Sequence, residues 1–431
     1  MKVVAFLPAK GTSERIESKN LKLLNGKPLF LHTLEKLCDC DFIDEVYLDS
    51  ESDEILNYAS YLRYIPLKRD PALADNKTDG HQMFYNEVSQ VDADIYIQIL
   101  GTSPFISPET IKRGVDILVE NDEYDSVVLM KKEKEYLWEN GQPKYDKFHI
   151  PNSVALPDTI IESMGLYIVK KETAFRTKMR YGDNAYMLTA DAVETIDVNY
   201  PDEFALAECI MRGIKEKENS KLRVMSKFFN SAIFSDILSD MGIHATISGL
   251  TLNLEGKKVF ARANTLKIRA LRDNEDFHGI YEGLKTYEKI TPGEVIVVEN
   301  QVEDRAYFGE LNANLAIRAG AVGTIVSSVT RDIEAVNQLD YPVFSKGYCC
   351  ADVKRYATVE AHQQPISIQG ITINPGDLIF ADQCGVVCIP HSKEKEVLAK
   401  AIEVKEKESS IIKRVLNNEN AMDIYDKEGE F

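Results

Sequence analysis

A short loop near the start of the chain combines small residues with cations. It follows the apolar run at 3–6, and its members are Lys10, Gly11, Ser13, Arg15 and Lys19. Small residues let backbone N–H groups approach oxygen atoms closely, and the cations neutralise the charge of those oxygens. The loop has one glycine and no Gly-Lys-Ser/Thr triplet, so it is neither the dinucleotide fingerprint nor the P-loop. From these residues alone, a polyphosphate site and a solvated loop with scattered cations are equal alternatives.

A second group of charged residues follows a predicted strand in the second half of the chain. Arg331 and Asp332 come soon after the strand predicted at 323–329, and the motif Gly309-Glu310-Leu311 precedes a helix predicted at 312–318. Charged groups at the carboxyl end of a strand, beside a turn that opens a helix, are well placed for a binding site. A surface ion pair or a helix N-cap explains the same residues, and the sequence alone favours that simpler interpretation.

The elements that must position these residues alternate between strand and helix. In the first half we predict strands at 3–6, 45–48, 94–100 and 126–130, and helices at 31–37, 52–58 and 108–120. This alternation predicts a Rossmann-like α/β fold with an open, mostly parallel sheet and ligands at the carboxyl ends of its strands. A helix at 204–221 ends in the polar run 215–220, which predicts domains at 1–220 and 221–431. An amphipathic helix is predicted at 393–415.

Composition limits the classes of function. A formal net charge of −18 argues against nucleic acid as a partner, since nucleic-acid binding needs a basic surface. We find no signal peptide and no run of eighteen apolar residues, so we expect neither a membrane span nor secretion. Seven cysteines without zinc-ligand spacing fit a reducing compartment. We therefore expect a cytoplasmic protein.

The first half resembles the acylneuraminate cytidylyltransferases, which make CMP-activated sialic acid from CTP. The opening loop matches that family's signature at Pro8, Ala9, Gly11, Ser13, Lys19, Asn20, Gly26, Lys27, Pro28 and Leu29. Further matching segments are Arg69-Asp70-Pro71, Thr78-Asp79-Gly80, Thr102-Ser103-Pro104-Phe105, Glu162 to Tyr167 and Thr195 to Asn199. The resemblance implies that a substrate hydroxyl attacks the α-phosphate of CTP and releases pyrophosphate.

The resemblance also implies roles for individual residues. Lys10, Arg15 and Lys19 would act in catalysis. The nucleotide would be bound by Pro8, Ala9, Lys10, Gly11, Ser13, Asn20, Arg69, Thr78 and Gly80, and the acceptor by Gln98, Thr102 and Ser103. A divalent ion, Mg²⁺ or Mn²⁺, would be shared by Asp197 and Asn199, because alternate residues of an extended segment point the same way. A helix N-cap is the structural alternative for the Asn199 segment, and the two can hold together.

Lys10 replaces the arginine that is usual in the family, and two further departures bear on the metal and the acceptor. Asn199 stands where a second carboxylate is usual, and Leu100 stands where a glutamine is usual, with Gln98 two residues earlier on the same face. We therefore expect an acceptor acid other than sialic acid, and a phosphonate or another acid is an alternative.

The second half resembles the RraA-like proteins, which include 4-hydroxy-4-methyl-2-oxoglutarate aldolases. The matches include Gly309-Glu310-Leu311, Ala319-Gly320-Ala321, Arg331-Asp332, Pro342-Val343-Phe344 and Pro375 to Leu378. The resemblance implies that Gly309, Leu311 and Arg331 bind a keto acid, that Asp332 binds Mg²⁺ or Mn²⁺, and that Glu310 supports the metal-bound water. It implies an RraA-like α/β domain that forms trimers or hexamers.

These expectations combine into a bifunctional enzyme of surface-glycan precursor synthesis. One half would activate a 2-keto-3-deoxy sugar acid with CTP, and the other would be a metal-dependent, pyruvate-type aldolase. We expect a homo-oligomer, with dimer contacts from the first half. The alternative is that the second half only assembles or regulates the protein.

Overall fold

The computed structural model describes residues 1–75 and 77–429. The chain forms two compact units, Met1–Met211 and Arg212–Phe431, each with its own sheet. Within the described ranges, no helix has both the length and the apolar character needed to cross a membrane.

The first unit is built on a seven-stranded sheet. In spatial order its strands are Ala185–Thr189, Ser126–Glu133, Thr159–Lys170, Ile95–Ile99, Val3–Pro8, Glu45–Ser50 and Ile65–Lys68. Thr159–Lys170 runs antiparallel to both neighbours, and the other pairs are parallel. Val3–Pro8 and Ile95–Ile99 are buried along their whole length, as strands covered on both faces should be. The structure confirms the predicted open, mostly parallel α/β sheet.

Helices cover both faces of this sheet. They are Leu29–Cys38, Asp53–Tyr58, Gly80–Val88, Pro108–Glu120, Lys171–Thr177 and the start of Pro201–Phe228. Local sequence explains their starts. The Ser107 hydroxyl accepts from the N–H of Thr110, with Pro108 in the first helical position. Asp79 and Gln82 form a reciprocal capping box at the start of Gly80–Val88.

The second unit contains a nine-stranded mixed sheet. Eight strands follow the order Thr246–Ile247, Gly385–Ile389, Leu378–Asp382, Val259–Ala270, Val295–Asn300, Gly323–Val326, Val343–Ser345 and Thr251–Leu252, and Ala357–His362 also pairs with Val259–Ala270. Ile366–Ile368 and Ile371–Ile373 form a separate hairpin. The longer helices are Ser231–Asp240, Glu310–Ala319, Ile333–Gln338, Glu394–Leu416 and Ala421–Glu428.

The helix Pro201–Phe228 continues beyond the end that we predicted at 221. Its polar run is not merely solvated, because Glu218 accepts two hydrogen bonds from Arg262, at 2.8 and 2.6 Å. Arg262 also pairs with Glu394 at 2.8 Å, and Leu222 is buried. These contacts inside the second unit stabilise the part of the helix that composition alone suggested was a linker.

A partly buried histidine, His362, makes the stability of the second unit depend on pH. His362 Nε2 donates to Asn264 Oδ1 at 2.9 Å, and Asn264 Nδ2 donates to Glu294 Oε2 at 2.9 Å. Burial, with a smaller contribution from the charge of Lys289, lowers the pKa of His362 to about 4. The unfolded chain binds this proton at a pH of about 6.5. This stabilisation is therefore complete above that pH and is lost as the pH falls towards 4.

We expect the free energy of unfolding to fall by up to about 3 kcal/mol across this window because of His362. His362→Gln should flatten that part of the slope, since it keeps a donor for Asn264 and cannot titrate. Urea unfolding between pH 4 and 7 measures the effect. His278→Gln is the control, because that side chain is largely exposed. An unchanged slope in the His362 variant would contradict the prediction.

Candidate active sites

The opening loop lies at the carboxyl end of its strand and uses a backbone amide to bind a carboxylate. The N–H of Gly11 donates to Oε1 of Glu51 at 2.7 Å, and the N–H of Ala9 donates to the carbonyl of Asp49 at 2.9 Å. A Cβ on Gly11 would lie 2.9 Å from Cβ of Ser52, so a larger residue would displace the loop. The loop therefore has an amide positioned for an oxyanion, and sequence reasoning missed the carboxylate of Glu51 that binds it.

Lys19 joins the loop to the acidic segment that lies far away in sequence. Its Nζ donates to the carbonyl of Val198 at 2.9 Å and to Oδ1 of Asn199 at 3.2 Å. Nδ2 of Asn199 in turn donates to Oδ2 of Asp197 at 2.5 Å. Burial lowers the pKa of Lys19, and the negative charge of Asp197 opposes that shift. The structure thus brings the predicted lysine, amide and carboxylate together in one cluster.

The other members of the loop surround this cluster. The exposed guanidinium of Arg15 lies over the ring of Tyr200, 5.1 Å from its centre, and Lys10 Nζ donates to the carbonyl of Ala74 at 3.4 Å. Pro8 ends the buried strand, and Ser13 is partly exposed within the loop.

Asn20 and the Thr102–Ser103 turn lie at the same end of the sheet as the opening loop. Asn20 is buried, and its Nδ2 donates to the carbonyl of Lys10 at 2.8 Å. The N–H of Val198 donates to the carbonyl of Thr102 at 2.8 Å. In the part of the chain that the structure describes, the buried oxygens Oδ1 of Asn20 and Oγ of Ser103 have no hydrogen-bond partner. Both atoms therefore have hydrogen-bonding capacity that the described protein groups do not use.

Two predicted binding residues lie in a buried polar cluster instead. Arg69 donates to Asp49 through Nε and Nη2, the shortest bond being 2.6 Å, and both side chains are almost fully buried. Nε2 of Gln98 donates to Oε2 of Glu87 at 2.5 Å. Burial raises the pKa of Glu87 well above its usual value, and the neighbouring Asp49 adds to the shift. Arg69 therefore forms a structural ion pair here, and its role in nucleotide binding stays a prediction.

Thr78 and Gly80 lie at the start of the helix Gly80–Val88. The Thr78 N–H and hydroxyl donate to Oδ1 of Asp75 at 2.9 and 3.0 Å. A Cβ on Gly80 would lie 2.3 Å from the guanidinium carbon of Arg180, so glycine leaves room for that side chain. Arg180 was not predicted, because no motif marks it and the contact joins residues about a hundred positions apart.

The second unit brings the two predicted motifs together. The N–H of Glu310 donates to Oδ2 of Asp332 at 3.2 Å, and a Cβ on Gly309 would lie 2.4 Å from that same oxygen. Asp332 itself has a φ of +55°, a left-handed conformation that is uncommon for aspartate. The close approach explains why a glycine precedes the helix Glu310–Ala319.

Arg331 pairs with an aspartate that the sequence did not reveal. Its Nη1 lies 2.7 Å from Oδ2 of Asp352, while its Nε lies 3.4 Å from Oδ2 of Asp332. These side chains are about one third exposed, so an acidic ligand could reach the guanidinium. Leu311, predicted to bind substrate, is 71% exposed, and the side chain of Glu310 is also exposed.

The donor atoms allow a divalent ion in each unit. The buried Oδ1 of Asp197 has no hydrogen-bond partner among the described residues, which fits a metal ligand. The Asn199 oxygen accepts from Lys19, so its role as a metal ligand stays a prediction. Asp332 is a single exposed carboxylate, and Mg²⁺ often keeps several waters beside one carboxylate. Outside position 76 and the last two residues, no cluster of three or more acidic, histidine or cysteine side chains forms a ready metal site.

The fold of the first unit and the polar residues at the carboxyl ends of its strands indicate the class of protein to which it is similar. An open α/β sheet places lysine, aspartate and a loop amide at the carboxyl ends of its strands, which is where such sheets bind their ligands. Comparison with known families makes this specific. Residues 4–146 match the Cytidylyltransferase family model, and residues 231–388 match the Aldolase/RraA family model. Both predicted resemblances are confirmed.

Individual relatives divide between the two parts of the chain. Protein DlpA of Legionella pneumophila is 35% identical over 185 residues, 42% of this chain and 29% of DlpA. A putative 4-hydroxy-4-methyl-2-oxoglutarate aldolase of Halalkalibacterium halodurans is 37% identical over 119 residues, 27% of this chain and 56% of that protein. The CMP-N,N′-diacetyllegionaminic acid synthase of Legionella pneumophila is 26% identical over 224 residues, 49% of this chain and 97% of that protein. The chain thus spans less than two thirds of the first two relatives.

Proposed function

We propose that the first unit is a CTP-dependent cytidylyltransferase that forms a CMP-activated 2-keto-3-deoxy sugar acid and releases pyrophosphate. The observation that carries the proposal is the cluster of Lys19, Asn199 and Asp197, in which Lys19 comes from the same loop as the Gly11 amide. A hydroxyl of the acceptor attacks the α-phosphorus as the bond to pyrophosphate breaks. The family match and the CMP-sugar synthase among the relatives support this reaction.

The residues of the loop would act by position and charge. The Gly11 N–H and the cations Lys10, Arg15 and Lys19 bind the triphosphate and stabilise the charge of the leaving pyrophosphate. The unpartnered oxygens of Asn20 and Ser103 accept hydrogen bonds from nucleotide and acceptor. Asp197 would hold Mg²⁺ or Mn²⁺, which supplies charge neutralisation at the phosphate oxygens when bound.

Pyrophosphate release tests the reaction directly. Purified protein is incubated with CTP, Mg²⁺ and N,N′-diacetyllegionaminic acid, pseudaminic acid or 3-deoxy-manno-octulosonate, the sugar acids named in the relatives. We expect pyrophosphate and a CMP conjugate, identified by mass spectrometry, with at least one acid. Incubations with UTP or without acid are the controls. A phosphonate in the same panel tests the alternative acceptor, and no release with any acid would refute the proposal.

For the second unit we propose a metal-dependent, pyruvate-type aldolase or lyase. The specific observation is that Asp332, Arg331 and the Glu310 amide converge although 22 residues separate Glu310 from Asp332. Arg331 would bind the carboxylate of a 2-keto acid, and Asp332 would hold the metal, which supplies polarisation of the keto oxygen when bound. The putative aldolase among the relatives supports this assignment.

Replacing Asp332 by alanine separates catalysis from a structural role. We expect pyruvate release from 4-hydroxy-4-methyl-2-oxoglutarate or oxaloacetate to fall by about 10²-fold or more, while pyrophosphate release is unchanged. The matched control is Glu334→Ala, an exposed acidic residue two positions away. Equal lyase rates in both variants would contradict the assignment.

A non-catalytic second unit is the alternative function. In that case wild-type protein releases no pyruvate with Mg²⁺ or Mn²⁺, and the second unit serves to assemble or regulate the transferase. Light scattering of the full chain, with and without substitutions at Leu311, would then measure its contribution to a homo-oligomer. The 71% exposure of Leu311 makes this side chain a suitable probe.

A further inference from the structure

Arg180 is a buried cation in the first unit that none of the predicted roles uses. Only 5% of the residue is exposed, and its guanidinium lies 5.0 Å from the centre of the Tyr167 ring. The same guanidinium fills the space beside Gly80, where a Cβ would approach it to 2.3 Å. Its position is therefore fixed by an aromatic face on one side and by the start of a helix on the other.

This cation has no anionic partner in the described part of the first unit. Arg180 Nε is buried and makes no hydrogen bond, and no carboxylate among the described residues lies within ion-pair distance of the guanidinium. The guanidinium does interact with the Tyr167 hydroxyl, which itself donates to Oε1 of Glu162 at 2.5 Å, so its nearest polar partner is a neutral phenol. By contrast, Arg69 pairs with Asp49, and Arg176 pairs with Asp183 and Asp125. Burying an unpaired charge is costly, so a site that retains one is suited to an anionic ligand.

Other unsatisfied polar atoms lie near the same place. Tyr167 stands directly opposite Gln98 in the antiparallel strand pair, so their side chains project from the same face of the sheet. Gln98 Oε1 is buried and has no hydrogen-bond partner among the described residues. The Cβ position of Gly165, two residues before Tyr167, lies 2.6 Å from the unpartnered Oγ of Ser103. These groups connect the Thr102–Ser103 turn, which was predicted to bind the acceptor, with the surroundings of Arg180.

We propose that Arg180 binds the carboxylate of the acceptor acid and thereby selects acids over neutral sugars, an assignment that rests on the proposed cytidylyltransferase function. A guanidinium presents parallel N–H donors that match the two oxygens of a carboxylate. The loop cations Lys10, Arg15 and Lys19 form a separate set, whose contacts lie with residues 74 and 198–200. One buried arginine therefore suits the single charge of the acceptor, and Gln98 suits a sugar hydroxyl.

The test compares Arg180→Gln and Arg180→Lys with wild type in the full chain. Equilibrium binding and pyrophosphate release are measured with N,N′-diacetyllegionaminic acid, pseudaminic acid, 3-deoxy-manno-octulosonate and their methyl esters. We expect Arg180→Gln to raise the Kd and KM for the acid about 30- to 100-fold, since a buried charge partner is lost. The KM for CTP should stay within about twofold, and the preference for acid over ester should disappear. Arg180→Lys should show an intermediate loss, because it keeps the charge without the fork.

Arg176→Gln is the matched control, because that exposed arginine lies four residues earlier and should leave both constants unchanged. Unaltered CTP binding shows that the Arg180 variants are folded. An unchanged Kd for the acid, or a loss confined to CTP, would overturn the assignment, and the latter result would place a phosphate at Arg180. If wild type releases no pyrophosphate, the proposed function fails, while acid binding to wild type and variant still decides the role of Arg180. No acid binding by either protein overturns it as well.

Discussion

Replacing Lys19 by methionine should lower kcat/KM for pyrophosphate release by about 10³-fold, within the range seen when one preorganised donor to developing charge is removed. Lys19 combines two functions in this structure. Its Nζ is placed near Asp197 by hydrogen bonds to Val198 and Asn199, and its positive charge lies in a partly buried site. A charge in such a site interacts more strongly with phosphate oxygens than one in water.

The pH profile distinguishes this electrostatic role from a purely structural one. Burial lowers the pKa of Lys19, so the wild-type kcat/KM should fall as the pH rises through that lowered value, below the usual range of lysine. Lys19→Arg should move this alkaline limb upwards, since a guanidinium remains charged. Lys22→Met is the control, because it removes the same charge from an exposed side chain nearby. Similar rates for the Lys19 and Lys22 methionine variants would refute the role of Lys19.

Replacing Arg69 by methionine should destabilise the first unit by about 3–5 kcal/mol, because it leaves the Asp49 carboxylate buried without its counter-charge. Asp49 is fully buried, and the acidic Glu87 is close enough for each to affect the other. The ion pair joins two neighbouring strands of the sheet. Arg69 directly follows the edge strand Ile65–Lys68, and Asp49 lies on the adjacent strand Glu45–Ser50. The loss of stability should therefore appear first in these two strands.

Hydrogen exchange of Glu45–Ser50 and Ile65–Lys68 measures that loss within the first unit alone. Lys68→Met is a matched control, because Lys68 forms an exposed pair with Asp53, which contributes little. If Arg69→Met and Lys68→Met show equal protection from hydrogen exchange in these strands, the structural role of Arg69 is contradicted. A raised KM for CTP in Arg69→Met, with protection intact, would instead support the nucleotide-binding role predicted from sequence.

Local signals in the sequence predicted much of the fold. Apolar runs such as 3–6 and 94–100 indicated strands, and the helix predicted at 108–120 is reproduced by the structure. The end of Pro201–Phe228 was missed because its stability depends on Arg262, which is distant in sequence. Propensity within the polar run could not reveal that contact.

The sites were predictable only where a motif placed several residues together. The loop signature pointed to Lys19, yet Glu51, Asp352 and Arg180 belong to no motif and reach their partners through the fold. For the Asn199 segment, the sequence left open a metal site and a helix N-cap, and in the structure different residues serve the two purposes. Glu203 accepts from the N–H groups of Asn199 and Tyr200 at the helix start. That contact leaves the Asn199 side chain to join Lys19 and Asp197, an outcome that spacing alone could not specify.

The hydrogen bond between Glu51 and the Gly11 amide has a consequence for how the loop exchanges ligands. A carboxylate of the protein and a phosphate of a nucleotide are both oxyanions, so either one satisfies the same N–H group. If the loop binds CTP as proposed, a phosphate that arrives at this amide would displace Glu51, and the carboxylate would return when the phosphate leaves. Under the proposed function the loop amide would therefore remain hydrogen-bonded in both states, and nucleotide binding would be an exchange of anions.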